Sequence, residues 1–194
     1  MQPELRGKSE NNRESALLKR VADGDREALS HLYEVYHGRL FKFVFRLTNS
    51  YTIADEMVND IMLLVWQKAA SFRGESKVST WVFGIAYRLT MRRVSRKKLH
   101  IAFHQDVDEL MATNTPSIEI EDWVKTGIHE LPAAQQMTVI LVFYLGLSYE
   151  ETAEVCECPV NTVKTRMFHA RRKLKELLEQ LAIPGNLQSE KIHD

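Results

Sequence analysis

Apolar residues in the first half of the chain recur at the spacing of amphipathic helices. Between residues 29 and 47 they follow the i, i+3, i+4, i+7 rule, which predicts a helix from about Arg26 to Thr48. A second helix is predicted to begin near Thr52, in an imperfect capping box, and to end at Phe72 before Gly74. A third is predicted to begin at Ser79 or Thr80 and to run into the basic stretch RRVSRKK.

The second half of the chain has sharper helix boundaries. Four helical segments are predicted, at Ile118 to His129, Pro132 to Leu145, Tyr149 to Cys156 behind the capping box Ser148-x-x-Glu151, and Pro159 to about Leu181. Residues 99–117 break the helical period and end in Thr115-Pro116, which predicts a linker. No run alternates as a strand with hairpin turns would.

These patterns predict an all-α fold of two small helical domains joined by an acidic linker. The predicted boundaries are a flexible N-terminus at 1–15, a first domain at 16–98, the linker at 99–117, a second domain at 118–183 and a flexible tail at 184–194. The layout of the second domain predicts a helix-turn-helix within a four-helix unit, with Ala153 at the tight crossing of its two helices.

The second predicted helix is apolar on more than one side. One stripe, ending at Leu64 and Val65, accounts for a core face, yet Met62, Leu63 and Trp66 add apolar surface elsewhere. Such a helix is either enclosed by its neighbours or docked against a partner.

The amino-acid composition limits the classes of protein to which the chain can belong. The 194 residues contain 26 Lys and Arg against 26 Asp and Glu, and no apolar run is long enough to span a bilayer. The polar start lacks the apolar core of a signal peptide, so we expect a cytoplasmic protein that does not insert into membranes. Cys156 and Cys158 are too close for a comfortable disulfide, and we expect one buried cysteine and one turn residue.

The zero net charge conceals a segregated pattern. Residues 92–98 hold five cations in seven positions, and residues 161–175 hold six Lys and Arg with no acid. Between these blocks, residues 99–122 carry six acids and no cation. Basic blocks are often plain solvated faces, but two of them on separate helices indicate a polyanion that is contacted twice.

The predicted second helix of the helix-turn-helix has one buried and one open face. Its inward stripe runs from Val163 to Leu178, while Thr162, Thr165, Arg166 and His169 share the outward face. Lys164, Phe168, Arg171 and Arg172 lie beside them. The absence of acids favours nucleic-acid binding over a solvated surface helix, since surface helices interleave charges of both signs.

Two stretches resemble one family. SYEETAEVCECPVNTVKTRMFHARRKLKELL resembles the promoter-binding fourth region of the extracytoplasmic-function (ECF) sigma factors, within the sigma-70 family of bacterial RNA polymerase. The stretch from IADEMVND to RRVSRKK, with its FRGES loop and Thr80-Trp81 helix start, resembles their second region. The similarity spans roughly residues 16 to 180, in the family's order and spacing.

The resemblance implies a sigma factor that carries core RNA polymerase to promoters, melts the −10 element and binds the −35 element. It implies no enzymatic activity and no cofactor, and it implies an anti-sigma factor as a further partner. The implied −35 residues are Asn161, Thr162, Lys164, Thr165, Arg166, Phe168, His169, Arg171 and Arg172. The implied −10 residues are Phe72, Lys77, Tyr87, Arg88, Arg92, Arg93 and Arg96, with Trp81 assigned to the core.

Two further implications concern the polymerase. Glu56, Asn59, Asp60, Leu63 and Trp66 are implied to contact the clamp coiled coil of its largest subunit. The acidic linker is implied to pass near the polymerase active centre, although an ordinary acidic tether fits its charge equally well. The chain departs from the family pattern at Asn161 and at Glu157, each where glycine is common, and Glu157 indicates a strained or altered turn.

Two other classes of function remain open from the residues. A free-standing helix-turn-helix regulator would bind duplex DNA without polymerase, but it leaves the RRVSRKK block and the FRGES loop unexplained. An enzyme would have to use the acids Asp55, Glu56 and Asp60 or a metal on His100 and His104, and both signals are weak.

Overall fold

The described part of the chain consists of helices joined by turns and short loops, with no strand. The structure is a computed structural model, and it describes residues 3–97, 127–128 and 130–182. Seven α-helices lie in this part of the chain: α1 (Pro3–Ala22), α2 (Arg26–Thr48), α3 (Tyr51–Lys68), α4 (Val78–Lys97), α5 (Ala133–Val139), α6 (Tyr149–Cys156) and α7 (Val160–Ala182). The predicted all-α class is confirmed.

Local hydrogen bonds set the ends of α2 and α3. Asp25 caps α2 by accepting from the backbone N–H groups of Glu27 and Ala28, and Asn49 ends it in the left-handed region at φ 48°. The cap of α3 is Ser50, not a capping box at Thr52 as predicted. This helix also ends earlier than predicted, because a 3₁₀ turn at Ala69–Ser71 tightens its last residues.

The predicted flexible N-terminus is wrong for residues 3–15, which belong to α1. The sequence there is polar, but its polar side chains reach distant partners. Asn11 Oδ1 accepts from the Val78 backbone N–H at 3.0 Å, and Glu14 Oε2 accepts from the Tyr36 hydroxyl at 2.7 Å. Leu18 and Val21 then complete the packing of α1 in the core.

One main hydrophobic core is shared by helices α1, α2, α3 and α4. Its largest fully buried side chains include Tyr36, Phe43, Phe83 and Ile61. Met62, expected outside the core stripe, is 4% exposed and belongs to this core, since α3 packs against both α2 and α4.

The second unit packs directly on the first. Helix α6 begins at a capping box formed by Ser148 and Glu151, as predicted. The segment predicted as one helix from Pro132 to Leu145 is α5 followed by a π-helical stretch, Ile140–Tyr144. Ile140, Leu141 and Val155 lie in the main core, while a small core forms around Ala153, Val163, Met167 and Ala170.

Several predicted segments lie outside the described residues. They are the linker 99–117, most of the helix from Ile118 to His129, and the tail 184–194. Of that helix, Ile128 is described, and it is buried in the small core. The division into two domains at these boundaries remains a prediction.

Candidate nucleic-acid interface

The turn between α6 and α7 holds α7 in a fixed orientation. At the start of α6, Ser148 Oγ accepts from the Glu151 N–H and Glu151 Oε2 accepts from the Ser148 N–H, a complete capping box. At its end, Glu157 adopts the left-handed conformation, φ 51° and ψ 47°, which agrees with the strained turn predicted at this residue. The Cys158 N–H then bonds to the Ala153 carbonyl at 3.0 Å. This is the geometry of a helix-turn-helix.

The outward face of α7 is open and basic. Val163, Met167 and Ala170 are buried, as the predicted inward stripe requires. The structure leaves most of the predicted −35 residues exposed, namely Asn161, Lys164, Thr165, Phe168, Arg171 and Arg172, and it half-buries Thr162, Arg166 and His169. All nine therefore lie on one accessible side of the helix or at its edge.

Local contacts distinguish the members of this face. Arg166 Nη1 lies 3.7 Å from Cys158 Sγ, so the guanidinium is held near the turn. Arg172 is exposed and pairs only loosely with Glu176, at 3.7 Å one turn along the helix. Thr165 Oγ1 donates to the Asn161 carbonyl at 2.9 Å, which ties that hydroxyl to its own helix.

The groove beside this face includes residues that the sequence analysis did not assign to DNA binding. Tyr149 and Lys175 line it together with Lys164 and Phe168. The Tyr149 hydroxyl accepts from Arg171 at 3.4 Å, and the Arg171 guanidinium lies over the exposed Phe143 ring. The sequence signal for Lys175 was its position as the last cation of the acid-free run at 161–175. Tyr149 and Phe143 lie in other segments, so that run did not indicate them.

The predicted −10 residues gather along α4 and the loop before it. Phe72 packs edge-on against Trp81, with ring centroids 5.6 Å apart, and both rings are half-buried against the core. Trp81 therefore packs as expected for a core residue, and Phe72 shares that packing. Arg92 is exposed, while Arg93 pairs with Glu56 at 2.9 Å. The side chain of Arg96 lies outside the described residues.

Three further −10 candidates face the second unit. Lys77 Nζ lies 2.6 Å from Glu151 Oε1, and Arg88 is ion-paired with Glu157. Tyr87 is half-buried, and burial raises the pKa of its hydroxyl. Helix α6 therefore covers part of this predicted surface.

The face of α3 that is predicted to bind polymerase is partly exposed to solvent. Leu63 is 54% exposed, and Glu56, Asn59 and Asp60 are exposed beside it. Asn59 Oδ1 accepts from the Tyr33 hydroxyl at 3.1 Å. Trp66 differs from its neighbours, because it is half-buried and packs against the main core.

Within the described ranges, no group of three His, Cys, Asp or Glu side chains is placed to hold a metal ion. Burial raises the pKa of the Cys156 thiol to about 12, which suits a packing residue and not a reactive thiolate. His100 and His104 lie outside the described residues. No described helix combines the length and the apolar character of a membrane span.

Comparison with known proteins decides the family. Residues 32–99 match the family model for sigma-70 region 2, and residues 122–174 match that for sigma-70, region 4. The ECF RNA polymerase sigma-E factor of Haemophilus influenzae is 30% identical over 183 residues, which cover 87% of this chain and 96% of the relative. The chain belongs to the ECF sigma factors. It thus directs RNA polymerase to promoters, and its predicted partners, core polymerase and promoter DNA, follow from this membership.

Other relatives agree along most of the chain. The ECF sigma factor SigW of Bacillus subtilis is 25% identical, over 84% of this sigma factor and 96% of SigW. The solved sigma factor RpoE of Bartonella quintana, in complex with the anti-sigma factor NepR, is 27% identical with a TM-score of 0.63, over 77% of this chain and 96% of that one. CnrH, solved with the cytosolic domain of CnrY, shares the fold with a TM-score of 0.68 at 21% identity, over 87% and 98% of the two chains.

Proposed function

We propose that this sigma factor reads the −35 element with the outward face of α7. The observation that carries the proposal is the continuous, accessible basic side of a helix whose other side is locked into a helix-turn-helix. A helix presented in this way fits the major groove of duplex DNA. Arg166, Thr165 and His169 are assigned to base edges, and Lys164, Arg171 and Arg172 to phosphates.

The −10 element is assigned to α4 and the loop that precedes it. Melted DNA requires cations along the backbone of the single strand and aromatic surface for unstacked bases. Lys77, Arg88, Arg92 and Arg93 supply the described cations of this assignment, and Tyr87 and Phe72 supply the aromatic rings. Trp81 belongs to the packing beneath them.

Core polymerase is assigned to the outer face of α3. Leu63 is the exposed apolar side chain at its centre, and it is flanked by the polar groups of Glu56, Asn59 and Asp60. An apolar anchor within a polar rim suits docking on another helix pair, such as the clamp coiled coil. Trp66 supports this face from beneath, since it packs on the core.

Regulation and location follow from the same assignments. We propose a protein partner of anti-sigma type, supported by the Bartonella quintana relative, which was solved with NepR. We further propose that it acts in the cytoplasm, where it meets polymerase, and that it controls initiation without a catalytic reaction of its own.

The assignment of α3 is tested by Leu63→Asp. A buried charge at the centre of the contact should weaken the binding of core polymerase by on the order of 2 kcal/mol. The measurement is titration of labelled sigma factor with purified core polymerase. Val35→Asp is the matched control, because Val35 is an apolar residue of similar exposure, 43%, on α2. Equal affinities for both variants, each with unchanged circular dichroism, would overturn the assignment.

A further inference from the structure

A cleft between α2 and the π-helical stretch is lined with cations on one side. One wall is formed by Arg39, Lys42, Phe43 and Arg46 of α2, and the other by Ile140 and Tyr144. This basic cleft has a volume of about 330 Å³, at the lower end of the range for sites that take small molecules. Its cations belong to none of the surfaces assigned above to DNA or polymerase, so those assignments leave them unexplained.

The spacing of the three cations places them in one row. Arg39, Lys42 and Arg46 stand at i, i+3 and i+7, which are neighbouring positions on one face of a helix. The first and the last are separated by about 10 Å along the helix axis. A row of this length matches a chain of negative groups better than a single compact anion.

No described carboxylate pairs with this row. Within the described part of the chain, the three side chains form no ion pair and donate no hydrogen bond. The lining of the basic cleft includes no Asp or Glu. Glu14 is an acid whose charge acts on Arg39, but it is buried and accepts a hydrogen bond from Tyr36. The positive charge of the cleft therefore has no paired counter-charge that the structure describes.

Aromatic rings hold both arginines of the row in place. The Arg39 Cζ atom lies 5.2 Å from the centroid of the Phe83 ring and 5.6 Å from that of Tyr36. The Arg46 Cζ atom lies 3.7 Å from the centroid of the Tyr144 ring. A ring over a guanidinium attracts its charge but leaves the N–H groups at its edge able to donate to oxygen. The donors are therefore positioned before a ligand arrives, which lowers the cost of binding.

We propose that the basic cleft binds an oligophosphate, either the phosphate chain of a nucleotide or inorganic polyphosphate. The planar guanidiniums of Arg39 and Arg46 donate paired hydrogen bonds to phosphate oxygens, and Lys42 between them supplies a point charge. The Tyr144 ring, 40% exposed, lies beside Arg46 at the end of the row, where a base attached to the phosphate chain would stack. The inference does not depend on the assignments to DNA or to polymerase.

The test compares two lysine variants of the full-length protein. Lys42→Gln removes one charge from the basic cleft. Lys173→Gln is the matched control, because Lys173 is an exposed lysine on α7 without an ion pair among the described residues. Since α7 is itself basic, the control reveals any general attraction of an anion to that helix. Isothermal titration calorimetry measures the binding of sodium tripolyphosphate and of orthophosphate at constant ionic strength, and circular dichroism checks the fold of each variant.

We expect the wild type and Lys173→Gln to bind tripolyphosphate equally, and Lys42→Gln to bind it roughly tenfold more weakly, as the loss of one charged hydrogen bond predicts. Orthophosphate should bind the wild type more weakly than tripolyphosphate does, because it does not span the row. The proposal is overturned by equal losses for the two lysine variants, by equal affinities for the two anions, or by no binding to the wild type.

Titration with ATP distinguishes the two sources of the phosphate chain. A nucleotide as the ligand predicts that ATP binds more tightly than tripolyphosphate and that Tyr144→Ala removes the difference. Inorganic polyphosphate as the ligand predicts that ATP binds no more tightly than tripolyphosphate. Lys42→Gln should weaken both probes, because they share the row of cations. Tighter binding of ATP that Tyr144→Ala leaves unchanged would overturn the placement of a base at Tyr144.

Discussion

Arg166 and Arg172 carry the same charge on α7 in different surroundings. Arg166 is half-buried beside the turn, at 3.7 Å from Cys158 Sγ, whereas Arg172 is exposed on the later part of the helix. A guanidinium held at the start of a recognition helix is placed to read a base edge, and one further along is placed to hold phosphate.

This contrast gives a prediction for the two arginines. Arg166→Ala should cost on the order of 1–3 kcal/mol and remove the preference at one −35 position, as the loss of a bidentate base contact does. Arg172→Ala should weaken all promoters about equally and lower the salt slope by about one. The measurement is holoenzyme affinity for single-base −35 variants at several salt concentrations. A uniform loss for both variants would remove Arg166 from the base readers.

The burial and conformation of single residues were predictable where the local sequence pattern determines them. The outward positions of α7 and the buried Cys156 follow from helical periodicity or turn chemistry, and the strained turn at Glu157 follows from the glycine that is common at this position in the family. The partners of Lys77 and Arg88 were not predictable, because they depend on how two distant segments dock. Met62 was missed for a related reason, since it is buried on a helix that packs against more than one neighbouring helix.

Helix α1 is an element that the pattern of apolar and polar residues did not predict. Its polar sequence predicts a flexible start, and its attachment depends on polar contacts with α2 and α4 that no period reveals. Where apolar spacing is regular, as in α2, the predicted boundaries of Arg26 and Thr48 match the structure. The π-helical stretch Ile140–Tyr144 was missed because all five residues are apolar or aromatic, so no spacing in the sequence marks the change from i−4 to i−5 hydrogen bonds.

The contact of α1 with α2 predicts a dependence of stability on pH. Burial raises the pKa of Glu14 above 4.5, against the opposing hydrogen bond from Tyr36 and the charge of Arg39. The folded state therefore favours the protonated carboxyl. Its contribution to stability is fully present below the unfolded pKa and is lost as pH rises through the folded pKa.

Glu14→Gln should remove this dependence, because an amide has no proton to lose at these pH values. The free energy of unfolding of Glu14→Gln, relative to the wild type, should rise between pH 4 and pH 7. Urea unfolding monitored by circular dichroism measures it, with Glu34→Gln on the exposed side of α2 as the control. A difference that stays constant across this pH range would show that Glu14 does not titrate as described.

The whole molecule has two basic surfaces, of which one is open and the other is partly covered. The face of α7 assigned to the −35 element is open, while Glu151 and Glu157 pair with Lys77 and Arg88 on the surface assigned to the −10 element. Segregated charge along the chain predicted both surfaces, but it did not predict their docking, because the acids of α6 are too few to form a visible acidic block. Family membership supplies the link to polymerase, which neither surface reveals alone.

The central claim is that this chain gives core polymerase its specificity through two promoter elements. The most direct measurement is transcription in vitro from a library of random promoters, by core polymerase with and without the protein, with start sites read by sequencing. The account predicts initiation that depends on the protein, at templates sharing one motif near −10 and another near −35. Binding of the protein to duplex DNA without any protein-dependent initiation would contradict it and would favour a free-standing helix-turn-helix regulator.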